Sequence, residues 1–218
     1  MSGPLLNFAA GGVPVPGNVL PPGSINPVGQ NVVNLYPLGN VSPSIYRETV
    51  VGENDLDQVG TRIDLNPSSN DQLFGRYSYS GGHNINPISV RGTDVPGYPT
   101  RDDLATHSVL VSATRIMSAT LTNSLRATWL RHKFFFDQRL NRTPPSELGF
   151  GYAPSNEIGQ GPPFFNVSGY TPIGGAITGP RNSTQTTFEV QDGLSWTAGR
   201  HLVKAGGELR HTGIDMVA

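Results

Sequence analysis

The feature that most constrains the fold is a two-residue alternation of apolar and polar side chains on both sides of a turn-forming sequence. In residues 57–80, Val59 and Ile63 alternate with polar residues such as Arg62 and Asp64. The sequence NPSSN follows, and the chain alternates again through LFGRYSY. A period of two places successive side chains on opposite faces of an extended strand. Residues 57–80 are therefore predicted to form a β-hairpin with one apolar and one polar face.

The same pattern occurs twice more along the chain. Residues 104–136 contain the arms LATHSVLVSATRI and LTNSLRATWLRHKFFF, which meet at IMSAT. Residues 187–213 contain TFEVQDGLSW and HLVKAGGELRH around TAGR, with Asp192 as the one clear polar exception on the apolar side. Where the alternation is clear, the arms are about 9 to 11 residues long, which is enough for a tilted strand to cross a bilayer. The sequence predicts an all-β antiparallel meander of long hairpins.

The rest of the chain is rich in residues that favour turns, with 27 glycines and 19 prolines in 218 residues. Residues 1–44 are predicted to be mostly loop, with a short helix near residues 25–36. Long connections also separate the hairpins, from about Gly81 to Asp103 and from about Asp137 to Gln185. Short turns at one end and long loops at the other are typical of an outer-membrane barrel.

Alternation is also found in a soluble β-sandwich, whose apolar side chains point inward. Three features favour a membrane barrel: the strand length, the presence of both charge signs on the polar faces, and aromatic residues near strand ends. Tyr77, Tyr79 and Trp196 are such residues, and aromatic belts mark the interfaces of membrane barrels. The alternative is a soluble extracellular β-sandwich binding module, such as an adhesin or a carbohydrate binder.

A barrel would direct the apolar faces to lipid and the polar faces to the lumen. The residues predicted to face lipid are Val59, Ile63, Tyr77, Leu125, Trp129, Phe188, Val190, Leu194 and Trp196. The residues predicted to face the lumen are Arg62, Asp64, Arg76, Arg126, Glu189, Lys204, Glu208 and Arg210. Phe74 is an aromatic residue on the predicted lumen face, where contact with a plug would explain it.

No pattern of catalytic residues is evident, and the sequence predicts neither an enzyme nor a cofactor or metal site. The net charge of −1 argues against a nucleic-acid partner, and the absence of cysteine excludes thiolate chemistry. The five histidines show no metal-ligand spacing. Asn54, Asp55 and Asp57 could bind calcium in an outer loop, but they lack the regular spacing of a calcium loop, so a solvated loop is the favoured interpretation.

Three stretches carry a family resemblance: PGNVLPPGSINPVGQNVVNLYPLGN, DQVGTRIDLNPSSNDQLFGRYSY and LSWTAGRHLVKAGGELRH. In this order, between Pro16 and His211, they resemble the barrel region of Oar-like TonB-dependent receptors. These receptors are outer-membrane proteins with a carboxypeptidase-regulatory-like N-terminal domain. The resemblance covers nearly the whole chain, and it implies that residues 1–218 are a single barrel region.

The resemblance implies a partial outer-membrane β-barrel, with about seven or eight strands of a larger, 22-stranded plugged barrel. The family's regulatory domain, TonB box, plug and terminal aromatic strand have no match in this sequence. The implied location is the bacterial outer membrane, with short turns facing the periplasm and long loops outside. The implied partners are outer-membrane lipid, the remaining barrel and plug, the TonB system indirectly, and an unidentified ligand that is taken up or exported.

Overall fold

The computed structural model describes residues 6–7, 11–21, 23–88, 95–155, 160–175 and 179–217. Six long strands form one sheet: β3 (Glu53–Ser68), β4 (Asp71–Asn86), β5 (Thr100–Ser118), β6 (Leu121–Arg139), β7 (Arg181–Ala198) and β8 (His201–Val217). The shorter elements are β1 (Leu6–Asn7), β2 (Val13–Pro14), helix α1 (Pro27–Val33) and single 3₁₀ turns at Pro16–Asn18 and Pro145–Leu148.

The large sheet is an antiparallel meander in which each strand pairs with its sequence neighbours, in the order β3-β4-β5-β6-β7-β8. This confirms the predicted all-β meander of hairpins. The large sheet has six strands in the described residues, where seven or eight were expected, and β1 and β2 form a separate two-stranded ribbon. The sheet is not closed, because β3 and β8 do not pair with each other.

The strands extend beyond the predicted hairpin bounds at the ends remote from the turns. β4 continues to Asn86 and β5 begins at Thr100, so the connection between them is residues 87–99. The connection between β6 and β7 is likewise shortened to residues 140–180. Several of these strand ends are polar on both faces, as in TRDD of β5 and RNSTQT of β7. The alternation of hydrophobicity therefore disappears before the strands end.

The three hairpins turn within two residues at Ser69–Asn70, Ala119–Thr120 and Gly199–Arg200. In the first two turns a serine hydroxyl accepts a hydrogen bond from a backbone N–H two residues on, from Asn70 to Ser68 and from Thr120 to Ser118. Gly199 has φ of 59°, in the left-handed region that glycine adopts without steric cost.

The irregular segments pack together at the end of the sheet remote from the turns. Buried Val95, Tyr98 and Ile173 form a small core, against which Leu35, Tyr36 and Phe165 pack. We call these six residues the loop core. The hydroxyl of Tyr36 donates a hydrogen bond to the carbonyl of Thr171 at 2.8 Å, joining the N-terminal segment to the β6–β7 connection.

Helix α1 lies within the window predicted for a helix. Asn26 caps it by accepting a hydrogen bond from the N–H of Val28 at 2.8 Å, and Pro27 occupies the first turn, where its missing N–H costs nothing. No helix in the described part of the chain combines the length and apolar character needed to cross a membrane.

Candidate membrane surface and lumen wall

The strand register determines which side chains share a face of the sheet, because directly opposed residues in antiparallel strands point the same way. Tyr77, Val109, Trp129 and Phe188 are successive register partners across β4, β5, β6 and β7. The face that bears this row is called the apolar face, and the opposite one the charged face. All nine residues predicted to face lipid lie on the apolar face, and all eight predicted to face the lumen lie on the charged face.

The apolar face carries large hydrophobic side chains that no other part of the described chain covers. Ile63 is 63% exposed, Phe188 54% and Leu209 76%. A β-sandwich needs a second sheet against this face, and none packs there among the described residues. The described residues therefore form a single layer rather than the two packed sheets of a β-sandwich.

The hairpins are offset from one another along the strands by a constant step. Leu73, Leu125 and Gly207 lie in one register row, and they are two, four and six residues after the first residues of β4, β6 and β8. The turns therefore shift by two residues per hairpin, or one residue per strand. With a rise of about 3.3 Å per residue and a strand spacing of about 4.8 Å, this step corresponds to a strand tilt of about 35°. Membrane barrels have tilts of about 35–45°.

Measured from the turns, the apolar side chains form a band of constant depth. Tyr79, Trp129 and Leu209 are each eight residues after the first residue of their strand. Beyond them the same face becomes charged, with Arg131 and Lys133 on β6. Eight residues of strand at about 35° tilt span about 22 Å, close to the apolar band of about 25 Å in outer-membrane barrels.

Aromatic side chains lie near both limits of this band. At the limit remote from the turns, the Tyr77 hydroxyl lies 2.9 Å from His107 Nδ1, and the Tyr79 and His107 rings are 5.0 Å apart. Trp129 and Phe188 continue the row on β6 and β7. Trp196 lies near the turn end. Aromatic rings at two levels match the girdles of a membrane barrel.

Asp192 is a charged residue within the apolar band, and the structure gives it a partner. Asn123 Nδ2, on the neighbouring strand and the same face, donates a hydrogen bond to Asp192 Oδ1 at 2.7 Å. The same amide reaches the carbonyl of Gly193 at 3.3 Å. A hydrogen-bonded pair costs less to place among apolar neighbours than a lone carboxylate.

The charged face is organised into ion pairs. Arg62 binds Asp64 at 2.6 Å, and its guanidinium also lies 4.0 Å from the Phe74 ring centroid. The contact with Arg62 therefore explains the position of Phe74 on the charged face without a plug, because a cation over an aromatic face is attracted to the ring. Arg210 binds Glu189 at 2.7 Å and Glu208 at 3.1 Å.

The other residues predicted to face the lumen lie near these pairs in the register. Arg76 is directly opposite Arg62. Arg126 and Glu208 are both register partners of Gln191, on either side of it, and Lys204 is opposite Ser195. These side chains give the charged face the mixed polar character of a lumen wall.

A shallow groove of about 420 Å³ lies on the charged face where β6, β7 and β8 meet. Its floor forms where Gly193 is directly opposite Gly206, and Arg126 and Glu208 also line it. The glycines leave the backbone bare, so another segment or a ligand could approach the wall closely there. Sequence reasoning did not find this groove, because Gly193 and Gly206 become neighbours only through the hairpin register.

A second group of side chains was also missed from the sequence. Glu53 and Asp55 on β3 lie beside His83 on β4, with His83 Nε2 3.0 Å from Glu53 Oε1 and 3.8 Å from Asp55 Oδ2. The solvated loop favoured for Asn54, Asp55 and Asp57 is wrong, because these residues are in strand β3. Asn54 therefore points to the face opposite Asp55 and Asp57. Only the β3–β4 register could have brought His83 to the two carboxylates.

A tilted, hairpin-built sheet with an apolar band bounded by aromatic rings and a charged reverse face defines the wall of a membrane β-barrel. Comparison with known families agrees, since residues 3–217 match the family described as "Outer membrane beta barrel domain". The chain belongs to the outer membrane beta barrel domain family, and its location is the bacterial outer membrane. Searches of curated proteins and of solved structures gave no match.

Proposed function

We propose that the chain is an arc of the barrel of a TonB-dependent receptor of the Oar-like kind, which binds an unidentified ligand and moves it across the outer membrane. The role is non-enzymatic. The open sheet is the observation that carries this proposal, because the free edges of β3 and β8 require further strands to complete a barrel in lipid.

The charged face supports a large barrel rather than a small one. Small barrels fill their interior with packed side chains, whereas wide barrels leave a polar lumen that holds water or a plug. The charged face carries long charged side chains held in ion pairs, such as Arg62 with Asp64 and Arg210 with Glu189. Such a surface is suited to contact with water and with the polar surface of a plug.

The loop core supports an outward ligand-binding role for the connections. It joins the N-terminal segment and the β4–β5 and β6–β7 connections at the end of the sheet remote from the tight turns. Loops that are held by their own packing present a defined surface to a ligand. In the proposed orientation this surface faces the exterior and the two-residue turns face the periplasm.

The proposal is tested by deleting the gene for the protein that contains this chain, and separately the gene for TonB, in the same bacterium. The compounds that remain in the growth medium when the receptor is deleted should also remain when TonB, its energy source, is deleted. Mass spectrometry of the medium measures both sets. Compounds that the receptor deletion leaves behind but the TonB deletion still removes would contradict energy coupling. A matched deletion of an unrelated outer-membrane porin controls for general permeability.

The coding sequence on either side of this chain provides an independent test of the receptor assignment. An N-terminal plug domain and further alternating hairpins in the same reading frame are expected if the chain is an arc of a plugged barrel. A reading frame without a plug would contradict the receptor assignment and leave the barrel assignment standing.

A further inference from the structure

Beyond the apolar band, three side chains with metal-binding atoms converge on the same face of the sheet. Glu53 and Asp55 are two residues apart on β3, and His83 is the direct register partner of Asp55 on β4. One donor atom from each residue lies within 4.8 Å of the other two. Two strands of one hairpin therefore supply all three donors.

The donor chemistry suits a divalent transition-metal ion. An imidazole nitrogen and carboxylate oxygens are common ligands of Zn²⁺, with bonds of about 2.0–2.2 Å. A tetrahedral ion with such bonds holds its donors about 3.4 Å apart. The distances of 3.0 Å and 3.8 Å from His83 Nε2 to the carboxylates of Glu53 and Asp55 lie on either side of this value. Small side-chain rotations would complete the site, and water would occupy the fourth position.

The local charges also favour a cation. Glu53 and Asp55 bring two carboxylates together beside His83. On the other side of His83, its register partner Asp103 is already bound by Arg101 at 2.7 Å. Arg101 is therefore engaged by Asp103, and a metal ion would compensate the charge of Glu53 and Asp55.

The position of the cluster makes it accessible from the external medium. His83 is four residues beyond Tyr79 on the same strand and face, which is about 13 Å along the strand past the aromatic limit of the band. The cluster therefore lies outside the proposed lipid zone and on the outer surface, away from the lumen wall.

We propose that Glu53, Asp55 and His83 form a Zn²⁺ site on the outer surface of the barrel, where the ion ties β3 to β4. This site is separate from the proposed transport function. It rests on the β3–β4 hairpin alone and requires neither a plug nor a transported ligand.

The test is titration of the whole barrel that contains this chain, folded in detergent micelles, with Zn²⁺ by isothermal calorimetry. One ion should bind per chain, and His83→Gln and Glu53→Gln should each weaken binding by at least about tenfold. Asp57→Asn is the matched control, because it removes a carboxylate from the same strand and face outside the cluster. That variant should bind like the unmodified chain.

Circular dichroism of each variant separates a lost ligand from a lost fold, since these side chains are at the surface and the strands should remain. Co²⁺ provides a second measurement, because nitrogen and oxygen ligation gives visible absorption bands that His83→Gln should abolish. Absence of saturable Zn²⁺ binding to the folded chain, or equal affinity in His83→Gln, would overturn the proposal.

Discussion

At the scale of single residues, adjacent positions on one strand have opposite environments. Val111 lies on the apolar face between Gly75 and Ala127, and it is 51% exposed. Thr128 lies on the charged face beside Glu189. Both residues are seven positions from the end of their strand at the shared turn. Substitutions at Val111 and Thr128 therefore compare the two faces of the sheet at one depth.

In the whole barrel that contains this chain, Val111→Arg should reduce the free energy of folding into lipid vesicles by on the order of 2 kcal/mol, because the guanidinium would be placed among lipid chains. Thr128→Arg should have little effect, since the new cation would meet Glu189 and the lumen. Urea unfolding in vesicles, followed by tryptophan fluorescence, measures both changes. Equal losses for the two variants would argue against one lipid-facing and one lumen-facing side.

At the scale of the strand, β6 crosses three environments. Ala127 is in the apolar band, Thr128 is on the charged face, and Lys133 is on the apolar face beyond the band. Because the chain contains no cysteine, a single introduced thiol reports its own position without background. β6 has neighbours on both sides, so its environment depends little on strands outside the chain.

In membrane vesicles, Thr128→Cys and Lys133→Cys should react with a charged maleimide, whereas Ala127→Cys should react only with a membrane-permeant one. The reason is that a charged reagent does not enter the apolar layer. Gel-shift of the labelled chain measures the extent of reaction. Rapid labelling of Ala127→Cys by the charged reagent would show that the band is not in lipid.

The strands also show what could be read from the sequence. The alternation around Val59 and Ile63 was sufficient to predict both faces of the hairpin. It could not predict the strand ends, because several of them, such as residues 100–103 of β5, carry polar side chains on both faces. Nor could it reveal the partner of Phe74, because the Arg62 guanidinium reaches that ring across the hairpin.

At the scale of the whole molecule, the loop core joins segments that are far apart in the sequence. Tyr98 and Ile173 meet in it, and no local pattern links them. Burial, with a contribution from nearby Tyr36, raises the pKa of Tyr98 to about 12 from the ordinary value of 10.0. The folded loops therefore favour the neutral phenol.

This shift predicts loss of loop stability at alkaline pH. Below pH 10 Tyr98 is neutral in the folded and unfolded loops, and its contribution is fully present. Between about pH 10 and 12 only the unfolded loops would ionise, so the stabilisation declines. The protection of backbone amides in residues 160–175 against hydrogen exchange, expressed relative to the intrinsic rate at each pH, should decline over this range. Tyr98→Phe should remove its part of the pH dependence, and an unchanged profile would show that Tyr98 is not responsible.

The two-residue offset between successive hairpins has a consequence for how such a wall can change in size. Every hairpin meets the next with the same displacement, so an additional hairpin inserted between two others would continue the same slope and keep its apolar residues level with the band. A circumference could then grow or shrink by whole hairpins through gene duplication or deletion, while the thickness matched to the bilayer stayed constant.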